Sequence, residues 1–346
     1  MNIENSSTTD YLGADFIGQS ALRKKVNFLL DSYKKKPFLD SLLFVAKRGD
    51  GKTKICRKIA KILNKKAIEI NGASFQSVTD FVDQIINPHV VGNQDVTLFI
   101  DEISAINPKV VEWLLSMLAY DSETKLSSAS HQGNTYNFNF NHLTVLTATT
   151  NPESLSEPFR SRFRRLEFGS YSDEELVQIL KFCCPNIEFA DHIEKDIVSV
   201  SRGSPREITL RLSEDIKRFL FQKKDNQSQF TSSDWKSLCN ILSIYPFGLS
   251  PAEIKLLEIL SHEPCTLTCL AGKFNLDAGT VRKDVELYPL ANRLFTINGK
   301  RQITPRGIEV LNSIKKNAAN AINVPLINQV TIDNGKTEDA IVNLQC

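Results

Sequence analysis

The sequence lacks any long apolar run. No stretch in its 346 residues reaches the roughly eighteen apolar residues that a membrane-spanning helix requires. The first ten residues, MNIENSSTTD, also lack the basic segment and the following apolar segment of a secretory leader. We therefore expect a cytoplasmic protein that has no membrane partner.

Paired cysteine motifs are also missing. The seven cysteines are an odd number and are scattered along the chain. Only His262, Cys265 and Cys269 lie close together in sequence, and no fourth ligand accompanies them as a structural zinc site would require. We interpret the cysteines as reduced thiols rather than as disulfides or metal ligands.

No charge of one sign dominates. The 42 Lys and Arg residues nearly balance the 40 Asp and Glu residues, which gives a net charge of +2. Any nucleic-acid binding must therefore come from local clusters of basic residues. Hydrophobic residues make up 41% and charged residues 24% of the chain, as is typical of folded soluble domains. At about 150 residues per domain, the length allows roughly two or three of them.

Short apolar runs alternate with helical periodicity in the first half of the chain. Residues 41–45, 96–100 and 142–149 predict buried strands, and residues 53–63 predict a helix after the first strand. Alternating strands and helices favour an α/β fold whose parallel sheet is covered on both faces.

Helical patterns replace the strands in the second half. Amphipathic helices at 173–183, 193–201 and 207–221 predict a small helical domain. Residues 250–314 predict three helices and a β-hairpin that turns at Asn298-Gly299, which is the order of a winged helix. The predicted segments are a flexible N-terminus (1–10), a large α/β domain (11–170), a helical lid domain (171–245), a winged-helix domain (246–316) and a flexible tail (317–346).

A glycine-containing loop connects the first strand to its helix. It reads Ala46-Lys47-Arg48-Gly49-Asp50-Gly51-Lys52-Thr53. Glycine in such a loop lets backbone N–H groups approach phosphate oxygens, Lys52 can reach the β and γ phosphates of a nucleotide, and the Thr53 hydroxyl can bind Mg²⁺. Ala46 stands where the motif has its first glycine, so this imperfect loop taken alone could also be structural.

Two carboxylates follow the second strand, at the end of the sheet where ligand sites open. Asp101 is predicted to hold Mg²⁺, and Glu102 to orient and polarise the water that attacks the γ-phosphate. Thr150, after the third strand, would emerge beside that phosphate. An isolated acidic pair is more often a helix cap, and Thr150 could equally cap a turn. The position of the pair after the phosphate loop favours the catalytic interpretation.

Further motifs resemble those of the RuvB family of AAA+ ATPases, and the resemblance spans about residues 12–312. The matching segments, all in the family's order, are Asp15-Phe16-Ile17-Gly18-Gln19, Leu98-Phe99-Ile100-Asp101-Glu102-Ile103, Ala148-Thr149-Thr150, Pro158-Phe159-Arg160-Ser161-Arg162-Phe163, Arg165-Leu166-Glu167-Phe168 and Arg202-Gly203-Ser204-Pro205-Arg206. The departures are Ala46, Lys47 and Arg48 in the phosphate loop, Gly169 in place of a tyrosine, and a shorter segment between Arg162 and Arg165.

The resemblance implies an AAA+ ATP hydrolase that binds ATP and Mg²⁺. It implies that Phe16 and Ile17 lie at the adenine pocket and that Arg206 is the sensor 2 contact to phosphate. It also implies that Arg162 is the arginine finger, which reaches the nucleotide of the adjacent subunit. Such a finger requires head-to-tail packing, and the family likeness makes the resulting ring a hexamer.

The predicted nucleotide site has three parts, namely catalytic residues, ATP-binding residues and metal ligands. The predicted catalytic residues are Glu102, Thr150, Arg162 and Arg206. The predicted ATP-binding residues are Phe16, Ile17, Gly49, Gly51, Lys52, Thr53, Lys54, Asp101, Arg162 and Arg206, with Thr53 and Asp101 as metal ligands. From the residue types alone, Arg162 and Arg206 could also be surface or ion-pair arginines.

Basic residues cluster in the predicted winged helix. Arg282 and Lys283 lie on its third helix, and Lys300 and Arg301 lie on its hairpin. These four are the predicted DNA contacts, made mainly to phosphates. From charge alone they could also form a solvated face of a protein-interaction domain. The family resemblance favours duplex or four-way-junction DNA.

The function implied by the resemblance is ATP-driven branch migration of Holliday junctions, or related duplex remodelling, in DNA recombination and repair. One alternative is a clamp-loader-like or helicase-loader ATPase, against which the winged helix argues. Another is a degenerate DNA-binding scaffold that does not hydrolyse ATP, against which the intact Lys52 and Glu102 argue. Residues 125–130 are polar where the family presents an apolar hairpin tip to its partner RuvA, so apolar docking of a RuvA-like partner is not expected.

Overall fold

The computed structural model describes residues 9–321 except 93, 191 and 224–228. The chain splits into two compact units, the first ending at Gly248 and the second beginning at Leu249. The first eight residues and the part of the expected tail beyond residue 321 lie outside the described residues. Among the described helices, none combines the length and the apolar character needed to cross a membrane.

The large domain of the first unit is built on a parallel sheet of five strands, in the order β2-β3-β6-β1-β7. The strands of this domain, including a separate hairpin, are β1 (Leu42–Val45), β2 (Lys66–Asn71), β3 (Val96–Asp101), β4 (Leu126–His131), β5 (Asn134–Asn139), β6 (Leu143–Thr149) and β7 (Arg164–Glu167). The three strands predicted from apolar runs are confirmed as β1, β3 and β6, which are the inner strands. The edge strands β2 and β7 were missed because most of their residues are exposed, so they carry no apolar run.

Helices cover both faces of this sheet. They are α1 (Ser20–Lys35), α2 (Lys52–Leu63), α3 (Val78–Phe81, continued by a π-helical stretch Val82–Val90), α4 (Pro108–Met117) and α5 (Glu157–Arg160). Successive side chains of a strand point to opposite faces. Leu43 therefore packs in the core with Phe81 and Trp113 of α3 and α4, whereas Phe44 packs in the other core with Ile55 of α2.

The strands β4 and β5 form an antiparallel hairpin. Phe138 on β5 is buried against the ring of Trp113, at 5.9 Å between centroids, and this contact anchors the base of the hairpin. At the tip, His131 Nε2 lies 2.9 Å from Thr79 Oγ1 of α3. A hairpin of this chain therefore includes residues 126–130, within the segment compared with the family's hairpin tip, and its exposed side chains are mostly polar.

A helical domain completes the first unit. Its helices are α6 (Asp173–Cys183), α7 (Glu194–Ser199), α8 (Pro205–Glu207, continued by a π-helical stretch Ile208–Leu212), α9 (Ser213–Lys223) and α10 (Ser232–Leu242). The helix predicted at 173–183 is confirmed, and Ser172 caps it in a capping box with Glu175. The expectation that this region has no strands is wrong. Two-residue strands β8 (Glu188–Phe189) and β9 (Gln229–Phe230) pair in parallel, and a run of two residues carries no periodic signal.

The second unit has three helical segments, a hairpin and a final helix. The first two segments are α11 (Pro251–His262) and α12 (Leu267–Phe274), and the third runs without a break through α13 (Ala278–Thr280), a π-helical stretch Val281–Glu286 and α14 (Leu287–Ala291). The hairpin is β10 (Phe295–Asn298) and β11 (Lys300–Ile303), and the final helix is α15 (Pro305–Ala321). The strands β10 and β11 are antiparallel, and Gly299 turns between them with φ 69°. This is the predicted winged-helix order.

Candidate nucleotide site

The loop between β1 and α2 needs its two inner glycines. Gly49 and Gly51 have φ of 93° and 102°, a region that residues with a side chain rarely adopt. A Cβ on Gly49 would also lie 2.8 Å from Cβ of Arg206 and 3.1 Å from Oγ of Ser204. The loop therefore folds as a phosphate cradle does, and it packs closely against the segment that carries Arg206.

Ala46 does not strain this loop. It is not among the residues with positive φ, and its N–H donates to the carbonyl oxygen of Thr149 at 3.3 Å in continuation of the sheet. The side chain is buried, at 7% exposure. The first position of the motif in this chain therefore accepts alanine without an unusual backbone angle.

Lys52 spans the inside of the loop. Its Nζ donates to the carbonyl oxygens of Ala46 and Lys47, both at 3.1 Å, although the residue is only 7% exposed. Asp50 closes the loop from within, because its Oδ2 accepts from the N–H of Lys47 at 3.1 Å. Burial raises the pKa of Asp50, and the bond from Lys47 opposes that rise. A buried ammonium group in a loop of backbone dipoles is suited to a phosphate chain.

Thr53 and Asp101 come together as predicted for a metal site. The Thr53 hydroxyl, in the first turn of α2, donates to Oδ2 of Asp101 at the end of β3 over 3.2 Å. A hydroxyl and a carboxylate are oxygen ligands of the kind that Mg²⁺ prefers, with its remaining positions filled by water and phosphate. The pair therefore fits Mg²⁺ bound with a nucleotide. No cluster of three or more metal-binding side chains occurs among the described residues.

Glu102 is held by the end of β6. Its Oε1 accepts from Oγ of Ser104 at 2.9 Å, and from the hydroxyl and the N–H of Thr150 at 3.1 and 3.3 Å. Burial raises the pKa of Glu102, but these hydrogen bonds outweigh burial and the net pKa lies below its ordinary value. The carboxylate is therefore ionised and oriented, as a group that polarises water must be.

The backbone of Glu102 depends on a glycine that the sequence did not reveal. Glu102 has a φ of 51°, in the left-handed region. Its carbonyl oxygen lies only 2.6 Å from where a Cβ of Gly72 would be. Gly72, just beyond β2, therefore leaves room for the strained turn that aims Glu102, but β2 itself was not predicted and so gave no signal for it.

These groups line one cleft of about 1580 Å³ in the first unit. The predicted residues that line it are Phe16, Ile17, Gly49, Gly51, Lys52, Thr53, Lys54, Asp101, Glu102, Thr150 and Arg206. The lining residues that the sequence reasoning missed include Tyr171, Ile179, Phe182, Thr209 and Leu210. One feature of the sequence could have indicated this wall, namely Phe182, an aromatic residue that lies outside the buried face of α6 and is exposed.

Gly169, which stands where the resembled family has a tyrosine, lies close to the wall of the cleft. The side-chain amide of Gln19 donates to the carbonyl oxygen of Gly169 at 2.7 Å and accepts from its N–H at 2.8 Å. Tyr171 lies two residues further on, and its hydroxyl donates to the carbonyl oxygen of Asp50 at 2.9 Å. A tyrosine therefore still closes the cleft over the phosphate loop, displaced by two positions.

Arg162 does not line this cleft. It lies just after α5 with an exposed side chain. Within the part of the chain that the structure describes, its guanidinium has no hydrogen bond or ion pair. The role predicted for it in a neighbouring subunit stays a prediction.

The four basic residues predicted for DNA do not share one environment. Arg282, Lys283 and Lys300 are exposed on the second unit. Arg301 is instead buried, and its Nε and Nη2 donate to the two carboxylate oxygens of Glu286 at 2.7 and 3.2 Å. Since its guanidinium is occupied inside the unit, we remove Arg301 from the predicted DNA contacts.

Comparison with known proteins gives the family. The model of the Holliday junction DNA helicase RuvB P-loop domain matches residues 11–167. The Holliday junction branch migration complex subunit RuvB of Sulfurimonas denitrificans is 30% identical over 308 residues, which are 86% of this chain and 89% of that protein. The same subunit of Pseudothermotoga lettingae is 31% identical over 301 residues, 85% of this chain and 84% of that protein.

A solved structure agrees with these sequence matches. The Thermotoga maritima RuvB Holliday junction branch migration motor superposes with a TM-score of 0.67 at 26% identity, over 87% of this chain and 98% of that one. The matches thus extend well beyond the nucleotide cleft into both units of the chain. Because the cleft, the order of the sheet strands and these relatives all agree, the chain belongs to the RuvB family of P-loop ATPases.

Proposed function

We propose that this protein is an ATP-driven motor that moves duplex DNA and drives branch migration of four-way junctions in recombination and repair. The observation that carries the proposal is that one cleft is lined by all of the predicted hydrolytic groups of the chain itself, Lys52, Thr53, Asp101, Glu102 and Arg206. Relatives of similar length are named as branch migration subunits. A complete set of hydrolytic groups argues against a scaffold that only binds DNA.

The contacts of each side chain suggest its role in hydrolysis. Lys52 would exchange its bonds to loop carbonyls for bonds to the β and γ phosphates. Thr53 and Asp101 would hold Mg²⁺, which when bound neutralises phosphate charge. Among the described residues all donors to Glu102 reach Oε1, so Oε2 is left to accept a proton from the attacking water. Arg206 would add positive charge beside the transferred phosphoryl group.

A second arginine would come from a neighbouring subunit. Arg162 is exposed outside the cleft of its own chain, as a residue acting on another subunit must be. We infer head-to-tail packing into a closed ring, and the family likeness favours a hexamer. The ring would place Arg162 of one subunit beside the nucleotide of the next.

The DNA contact would lie on the second unit. Arg282 and Lys283 on the third helical segment and Lys300 on the hairpin are exposed and can bind phosphates. Three contacts of this kind read no bases, which suits a motor that moves along any sequence in the cytoplasm. The mostly polar hairpin of β4 and β5 does not favour apolar docking of a RuvA-like partner.

Steady-state ATP hydrolysis tests the proposal. We expect turnover that rises with duplex or four-way-junction DNA, and a fall of roughly a hundredfold or more in Glu102→Gln, which keeps ATP binding but loses the base. Glu123→Gln is the matched control, since Glu123 is exposed and away from the cleft. DNA binding without any turnover by the unaltered protein would instead indicate a non-hydrolysing binding protein.

A further inference from the structure

Residues 201–206 of the lid domain, here called the linking segment, contact both the nucleotide cleft and the end of the first unit. At the cleft, Ser204 and Arg206 lie against Gly49, so closely that the loop has no room for a Cβ there. Ser201, which begins the segment, is fully buried, and its N–H and hydroxyl both donate to the carbonyl oxygen of Val198 in α7, at 3.0 and 2.7 Å. A shift of the phosphate loop therefore bears directly on this segment.

Arg202 links the segment to the last residue of the unit. Its φ of 56° turns the chain, and its Nε and Nη2 donate to the carbonyl oxygen of Gly248 at 2.9 and 2.7 Å. Hydrogen bonds from a charged donor are stronger than those between neutral groups. Arg202 lies between α7 and α8, and Gly248 ends a 3-10 helix, Pro246–Gly248. Neither residue lines the cleft, so contact with nucleotide does not account for this link.

Gly248 packs tightly against the backbone of Val200, so the acceptor of the Arg202 hydrogen bonds is held in place. With φ 65°, a Cβ at Gly248 would lie 2.2 Å from the carbonyl oxygen of Val200. Its N–H donates to the carbonyl oxygen of Tyr245 at 2.9 Å. The chain that continues into the second unit at Leu249 is therefore fixed to residues 200–202, four residues from the cleft-lining Arg206.

We propose that Arg202 is a positioning residue that passes nucleotide-dependent movement of the lid to the DNA-binding unit through Gly248. This inference rests on the proposed function, since it assigns a transmission point to that motor. Nucleotide between the phosphate loop and Arg206 shifts the segment, and the guanidinium makes the chain at Gly248 move with it. Without the guanidinium the cleft still hydrolyses ATP, but the second unit no longer follows.

The test separates hydrolysis from movement. In Arg202→Ala we expect ATP turnover within about twofold of the unaltered protein, and DNA movement per ATP, measured by displacement of a third strand from duplex DNA, reduced by roughly tenfold. Arg202→Lys should recover part of the movement, because lysine keeps the charge but not the planar fork. Arg211→Ala, which removes only an exposed pair with Glu207, is the control and should move DNA normally.

Hydrogen exchange gives a readout that does not need the motor. A slowly hydrolysed ATP analogue should slow exchange of residues 244–250 in the unaltered protein and leave them unchanged in Arg202→Ala. Equal protection in both proteins, equal movement per ATP, or an equal loss of turnover and movement in Arg202→Ala would each overturn the inference. If the unaltered protein hydrolyses ATP without moving DNA, the proposed function fails, and the exchange result alone decides the role of Arg202.

Discussion

The buried ion pair of the second unit allows a stability prediction with a magnitude. Arg301 and Glu286 have side chains that are 9% and 2% exposed, and they join the third helical segment to strand β11. Removing one partner leaves the other charge buried and unpaired, which costs about 3–5 kcal/mol. We expect Glu286→Leu to lower the unfolding free energy of the unit by that amount, and Glu286→Leu with Arg301→Met to restore it, since an apolar pair of similar volume replaces buried charges at little cost.

The assay must report on the second unit itself. Both tryptophans, Trp113 and Trp235, lie in the first unit, so we would follow hydrogen exchange of residues 281–303 through a urea series. Lys273→Ala breaks an exposed pair with Glu263 in the same unit, and it should cost at most about 1 kcal/mol. A loss below about 1 kcal/mol in Glu286→Leu, or a double variant as unstable as the single one, would refute the reasoning.

Three further predictions concern the cleft. Lys52→Ala removes the cation that spans the loop and should abolish ATP binding in a fluorescent-nucleotide titration; retained affinity would contradict its role. Arg162→Ala should bind ATP without hydrolysing it, and mixing with Glu102→Gln subunits should restore turnover; normal turnover alone would argue against shared sites. Burial raises the pKa of Glu102, but the hydrogen bonds from Ser104 and Thr150 lower it by more, so the net pKa lies below its ordinary value. The carboxylate of Glu102 therefore stays ionised to lower pH. Thr150→Val should therefore move the acid limb of the pH–rate profile upward, and an unmoved limb would count against the contact.

Apolar runs predicted the inner sheet because strands buried on both faces carry an unbroken signal. The residues of β1, β3 and β6 are nearly all buried. Edge strands bury less, and β7 (Arg164–Glu167) has one buried residue in four, so its pattern reads as a charged loop. The phosphate loop and the acidic pair were predictable because their chemistry depends on adjacent residues.

What the sequence could not give was the environment of single side chains. Arg301 and Lys300 are neighbours with the same charge sign, yet one is buried and the other exposed. The difference comes from Glu286, fifteen residues earlier, whose position against β11 is set by tertiary packing. The apolar wall of the cleft was missed for the same reason, since Phe182 and Leu210 are separated in sequence and meet through the fold.

The ordinary backbone at Ala46 bears on how such a loop can change during evolution. Gly49 and Gly51 are held by their φ angles, and at Gly49 also by the neighbouring Arg206, so a mutation at either faces a steric barrier. Ala46 has no such barrier, so glycine and alanine can replace each other at this position without a change in the backbone of the loop. A search pattern that weighs every glycine alike passes over this chain, whereas one that weighs each position by its backbone angle finds it.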